Sequence, residues 1–278
     1  MGTDVELLLD APPSAESALA LAMGEVEFRR LEARLSRFRL DSELSALNRL
    51  GRLEASSDLV RVIEVALEAR CRTSGRFDPT VHDALVGIGY DRSFEEVAGR
   101  VAIAAPPARC GGWVRIDTAT GLIELEPGVR LDLGGIAKGY AVDRVSDLLE
   151  KAGPCLVNAG GDLATRRHAW PVGVETPDGM LTLELGDGAL ATSGIDRRRW
   201  QTADGEAHHL IDPARGRPAE TDLLRVTVVA SNAVEADVLA KALFLAGAER
   251  AEAEANELAT PTVLVTKAGR TVLAGGLQ

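Results

Sequence analysis

The chain has 278 residues, 46% hydrophobic and 26% charged, enough to bury the core of one large domain or of two closely joined subdomains. A formal net charge of −11 and a pI near 5.0 exclude a phosphate-tracking nucleic-acid binder, which needs a basic face. No run of about 18 apolar residues occurs, so no membrane-spanning helix is expected.

Residues 5–9 read as a strand, and Asp10-Ala11-Pro12-Pro13 as the turn that ends it. Ser14 is a good N-cap and opens a helix to about residue 36. A polar turn, Ser36 to Leu44, follows, and helical spacing resumes from about Ser57. Gly75-Arg76-Phe77-Asp78-Pro79-Thr80 is a loop, because Pro79 drives Asp78 out of the helical region. The Gly-, Pro- and Ala-rich stretch 99–112 is the expected join if the single domain divides in two. Residues 114–116 and 122–125 suit a hairpin, and 129–133 suit a strand entering Gly134-Gly135. A helix is expected over 136–151 with Gly153 beyond its end, then a short buried strand at 156–158.

The second half is richer in strands, at 172–174, 181–185, 190–192, 208–211 and 225–230. An apolar helix follows at 233–247, then a second helix and strands at 262–266 and 270–273. Hairpins and helices mix without a steady βαβ rhythm, which predicts an α+β fold with mixed or antiparallel sheets and packed helices. Cys71, Cys110 and Cys155 form no CxxC pair and read as structural thiols.

Several junctions can carry chemistry. Asp132-Leu133-Gly134-Gly135-Ile136-Ala137-Lys138-Gly139 passes from strand to helix. It can aim free backbone N–H groups, a helix dipole and the Lys138 ammonium at an anion. Ala159-Gly160-Gly161-Asp162 is either a second such junction or a tight turn capped by its Asp. Thr192-Ser193-Gly194 is either a set of hydroxyl donors or an ordinary strand exit. His208 and His209 point to opposite faces if both lie on a strand, so at most one enters a site; an imidazole there can act as general base. Asp237 and Lys241, at i and i+4 on an apolar helix, are either an intrahelical ion pair or a charged pair facing a site.

In this order these motifs resemble the FAD:protein FMN transferase (ApbE) family over essentially the whole chain. The residues that carry the resemblance are Met1-Gly2-Thr3, Leu35-Ser36-Arg37-Phe38 with Ser42-Glu43-Leu44 and Leu47-Asn48, and Gly75 to Val81. They continue with Asp132 to Asp143, Asn158 to Asp162, Ala191 to Gly194, His209 to Pro213 with Gly216 and Pro218, and Glu235-Ala236-Asp237 with Lys241-Ala242-Leu243. The resemblance implies an ApbE-like, T-fold-related architecture and transfer of FMN from FAD to a Thr or Ser of an acceptor protein, with release of AMP. It implies that Met1, Phe38, Arg76, Phe77, Asp78, Asp132, Lys138 and Ile211 surround FAD. It also implies that His209 assists the attacking hydroxyl, and that Mg²⁺ is held by the Gly135 carbonyl and Asp237.

One departure bears on that chemistry. The family's helix usually carries a metal-ligating Thr where this chain has Lys241, and an ammonium has no lone pair to offer a metal. Lys241 is therefore expected either to replace part of the cation's charge or to pair with Asp237. Three outcomes stay open: transferase, FAD-binding member without transfer, and FAD pyrophosphatase. The loop after Thr-Ser-Gly reads Ile195 to Trp200 in place of a Tyr-rich segment, leaving Phe38, Phe77 and Trp200 as rings to stack on a flavin. His82-Asp83 replace a small Gly-Pro pair. Because the chain opens on the Met-Gly-Thr motif without a leader, the expected location is cytoplasmic, with an exported form lacking its leader as the alternative.

Overall fold

The computed structural model describes residues 3–97, 101–102, 105–203 and 205–277. Strand β1 (Val5–Leu9) leads into α1 (Ala15–Leu35), where Ser14 Oγ accepts the Ser17 N–H at 3.0 Å as the cap. Helix α2 (Glu43–Leu50) starts at the last two residues of the segment read as a polar turn, Ser36 to Leu44, and runs on through residues the sequence reading left unassigned. Ser42 caps its start by accepting the Ser45 N–H, and Gly51 ends it at φ 70°. Only two of its residues, Leu44 and Leu47, are buried, so the apolar period was too short to stand out in the sequence.

Next come β2 (Arg52–Glu54), α3 (Ser57–Arg72), α4 (His82–Gly87), α5 (Phe94–Val97) and β3 (Val101–Ala102). The hairpin β4 (Val114–Asp117) and β5 (Leu122–Leu125) falls where the alternation placed it. Residues 129–133 form no strand, against expectation. Their backbone groups are satisfied elsewhere. The Asn48 amide bonds both Leu131 N–H (2.7 Å) and Leu131 C=O (2.8 Å), and Asp132 N–H donates to the Pro79 carbonyl at 2.7 Å.

Then follow α6 (Ala137–Leu149), β6 (Cys155–Ala159), β7 (Asp162–Arg166), β8 (Trp170–Thr176), β9 (Gly179–Leu185) and β10 (Gly188–Gly194). Four short strands come after these: β11 (Arg199–Thr202), β12 (Gly205–His208), β13 (Ile211–Asp212) and β14 (Arg217–Pro218). The strand expected over 208–211 is thus split. β12 pairs with β11, whereas β13 pairs with β14, and His209 lies in the gap. The chain closes with β15 (Leu223–Ala230), α7 (Ala233–Ala246), α8 (Ala248–Glu257), β16 (Thr262–Thr266) and β17 (Thr271–Ala274).

These elements form two compact units. The first contains Leu31–Gly135 and Ile195–Glu220; the second contains Thr3–Arg30, Ile136–Gly194 and 221–277. The second unit is built on a seven-stranded antiparallel sheet, ordered β1-β6-β7-β10-β15-β16-β17. Every residue of β16, Thr-Val-Leu-Val-Thr, is buried, as a central strand's reading requires. Helices α6 and α7 pack on this sheet and on each other. The hairpin β8–β9 covers it through Val172, Val174 and Leu185, against Leu163, Leu190 and Val263.

In the first unit, α2 buries Leu44 and Leu47, α3 buries Leu59 and Ile63, and the sheet β2-β5-β4 buries Ile123, all fully shielded from solvent. A second cluster joins Leu85, Ile88, Tyr90, Val97, Trp200 and Ile211. Among the described strands only β3 and β11 pair in parallel, so the architecture is mixed α+β.

Candidate functional site

Both units hold candidate residues, and each unit arranges its own share. In the first unit, Asp132 lies in the 129–133 segment and is 7% exposed. Its Oδ1 accepts the Gly134 N–H at 2.8 Å, and Oδ2 forms an ion pair with the Arg37 guanidinium. Arg37 is itself buried. It donates to the Tyr90 carbonyl at 2.7 Å and lies over the rings of Phe38 (4.2 Å) and Tyr90 (4.7 Å). Its Nη2 is buried with no hydrogen-bond partner among the described residues. Phe38, 39% exposed, leaves part of its ring for a ligand.

Arg37 and Tyr90 were not singled out from the sequence. Tyr90 lies more than fifty positions from Phe38, and only the fold stacks their rings, with centroids 5.6 Å apart. Trp200, a candidate stacking ring, instead lies beneath Tyr90 at 5.2 Å and donates its Nε1–H to the Ile88 carbonyl. At 4% exposed it is a core residue that supports the ladder from below.

The 75–80 loop is organised by a buried carboxylate. Asp78 Oδ1 accepts both the N–H and the hydroxyl of Thr80, and Oδ2 pairs with Arg70 at 3.1 Å. Phe77 is buried with its N–H on the Thr73 hydroxyl, while Arg76 is half-buried and donates to the Thr73 carbonyl. Next to this loop His82 Nδ1 meets Asp83 Oδ1 at 2.9 Å, and Arg130 pairs with the same oxygen. Burial pushes the His82 pKa down, with the hydrogen bond to Asp83 opposing.

Of the two adjacent histidines, His208 is buried on β12 with Nε2 at 3.1 Å from the Ala219 carbonyl, a structural position. His209 is half-buried just past the strand, and Ile211 is buried in the cluster with Tyr90 and Trp200. Gly135 ends the first unit in the turn before α6. Neither Gly134 nor Gly135 adopts positive φ. At Gly134 a Cβ would lie 3.0 Å from Asp132 Oδ1, so that glycine makes room for the carboxylate. Met1 lies outside the described residues.

The second unit gathers four charged side chains. Lys138, in the first turn of α6, pairs with Asp162 at the start of β7; Lys241 pairs with Asp237 one turn earlier on α7. Asp162 and Asp237 are each 1% exposed. Burial and the Asp237 charge push the Asp162 carboxyl above the usual range, while the Lys138 and Lys241 ammoniums oppose the shift. Asp162 thus feels the charges of the other three groups. Gly160 and Gly161, at φ 65° and 96°, make the two-residue turn that presents Asp162. The Thr192 hydroxyl is engaged with Thr227 at 2.8 Å across β10 and β15, which favours the strand reading for that motif.

Gly139, read from the sequence as part of a phosphate loop, has a packing role. A Cβ there would lie 2.7 Å from the Ala233 carbonyl oxygen, so the glycine lets α6 meet the start of α7. Asp143 on the same helix accepts the N–H groups of Ala233 and Val234, capping α7 from a neighbouring element.

The sequence matches the family described as the ApbE family over residues 1–264. The chain belongs to the ApbE family. An FAD:protein FMN transferase of Treponema pallidum is 31% identical over 270 residues, covering 86% of this chain and 74% of its own. One from Haemophilus influenzae is 30% identical, covering 97% of this chain and 86% of its own. The solved flavin transferase ApbE of Vibrio cholerae superposes with a TM-score of 0.82 at 26% identity, over 99% of this chain and 94% of that one.

The family resemblance implies a divalent metal, and the donor set can be tested against it. Asp237 keeps Oδ2 buried without a hydrogen-bond partner among the described residues, but its Oδ1 already holds the Lys241 ammonium. Among the described residues no three His, Cys, Asp or Glu side chains converge to hold an ion. An ammonium donates no lone pair. Two unit charges of like sign at 4 Å repel by about 4 kcal/mol at an effective dielectric near 20, and a divalent ion roughly doubles that. These residues do not fit a resident divalent cation beside Asp237.

Proposed function

We infer that this chain is an FAD:protein FMN transferase, which takes FAD as donor and passes FMN to a Thr or Ser hydroxyl of an acceptor protein. The observation that carries the reading is the family match over residues 1–264, joined to relatives named for this activity that align with most of the chain. In this reaction the acceptor oxygen forms a bond to the FMN phosphorus. The bond from that phosphorus to the bridging oxygen breaks, and AMP leaves with the electron pair. The hydroxyl proton needs a base, and His209 is assigned to it.

The ApbE resemblance gives the flavin to Phe38, Arg76, Phe77, Asp78, Asp132 and Ile211. Asp132 suits a polar ring edge because the Arg37 guanidinium and the Gly134 N–H hold its carboxylate in place. Phe38 suits stacking because its ring is part-exposed and backed by Tyr90. Lys138 is assigned to the phosphates. Mg²⁺, the cofactor the resemblance also implies, has no fitting donor set at Asp237, and no step is assigned to it.

The test is mass spectrometry of an acceptor bearing Asp-Gly-x-x-Ser/Thr-Gly-Ala-Thr after incubation with the enzyme and FAD. The expected result is covalent addition of FMN through a phosphoester, with AMP released in equal amount. Free FMN and AMP with unmodified acceptor would assign a pyrophosphatase instead, and unchanged FAD would leave binding alone.

A further inference from the structure

The charge cluster of the second unit is balanced before any ligand arrives. Asp162 and Asp237 supply two negative charges, and Lys138 and Lys241 supply two positive ones, each ammonium on a different carboxylate. Helix α6 adds the positive end of its dipole beside Lys138. Its first turn holds no acidic residue, and Ile136 at the N-cap position contributes no side-chain hydrogen bond. A cation added to this arrangement meets two ammoniums and a helix N-terminus. With the four side-chain charges in balance, the helix N-terminus leaves these surroundings positive, which favours an anion over a further cation.

Lys241 is placed for that anion. Its ammonium carries three N–H donors and directs them at Asp237 Oδ1 and, at 3.4 Å, the Asp237 carbonyl. The Lys241 side chain is 15% exposed, whereas both carboxylates are closed off. Asp237 anchors it from one turn back, which lowers the rotamer freedom left to lose when a ligand binds.

We propose that Lys241 is a built-in cation: its ammonium, fixed by Asp237, neutralises the FAD pyrophosphate where a divalent ion would otherwise be required, so FAD binds without metal. The proposal rests on the FAD reading above. It assigns Lys241 as a residue that touches the donor's phosphates, and Asp237 as the residue that positions it.

Titration calorimetry of FAD into the purified full chain, in excess EDTA and in millimolar Mg²⁺, tests it. The two affinities should agree within about threefold, and Mg²⁺ alone should give no saturable heat. A gain of about tenfold or more with Mg²⁺, or a saturable Mg²⁺ site in the protein alone, overturns the built-in cation and leaves the FAD reading intact. No FAD binding in either buffer overturns both.

Variants sharpen the test. Lys241→Thr should lose about tenfold or more of its FAD affinity in EDTA and recover it in Mg²⁺, while Lys241→Arg should stay metal-independent. A Lys241→Thr protein that binds FAD as tightly as wild type in EDTA overturns the proposal. If that variant does not fold, the wild-type pair of titrations decides alone.

Discussion

Arg37 and Asp132 are both less than a tenth exposed, and neither charge has water to fall back on. Removing one member of a buried pair strands the other, with a typical loss of about 3–5 kcal/mol. Arg37→Met should therefore destabilise the chain by about that amount in urea denaturation, and adding Asp132→Asn should restore part of the loss. Losses that simply add would show that the two do not act as a pair. The Asp132 motif was evident in the sequence because it sits among glycines before a helix. Arg37 was visible only as a letter within Ser-Arg-Phe, since its partners are Tyr90 and Asp132, far along the chain.

At the scale of elements, α6 and α7 meet where Gly139 faces the Ala233–Val234 backbone, with a Cβ position only 2.7 Å from the carbonyl oxygen. Backbone cannot move aside as a flexible side chain can. Gly139→Ala should lower stability by about 1–3 kcal/mol, even though alanine is by itself the better helix former. A thermal melt checks the sign; an unchanged or raised Tm would mean the helices separate freely. The same helix junction is capped by Asp143, which reaches α7 from ninety residues earlier. Most long elements were readable from period and caps, as in α1, α3, α7 and the hairpin β4–β5. Short α2 was missed for want of apolar period, and another failure came where backbone bonds were satisfied by groups distant in sequence. Residues 129–133 look like a strand, yet Asn48 and Pro79 take the hydrogen bonds that a ladder would have used.

For the whole molecule, a ligand that binds only the folded chain must stabilise it. At about one hundred times its Kd, FAD adds about 2.7 kcal/mol, which raises the Tm of a chain this size by roughly 5 °C. AMP or FMN alone, at the same concentration, should raise it less, since each presents part of the contacts. Differential scanning fluorimetry measures all three, and equal shifts would argue against recognition of the joined dinucleotide. The net charge of −11 gives no general attraction to an anionic ligand, so binding must come from local positive charge. Only four lysines serve the chain, and two of them stand in the second unit's cluster.

The sequence by itself determined the family, the α+β class and the Asp132–Gly139 motif, because spacing, caps and turn residues are local properties written in chain order. It also showed that Lys241 stands where an uncharged ligand residue was expected, but left open whether the ammonium met Asp237 or stood apart. Tertiary structure decided that question, together with the partners of Asp162 and Asp132 and the burial of Trp200. Those outcomes depend on which distant side chains share a desolvated space. Charge pairing and ring stacking there are set by the fold, and no local pattern encodes them.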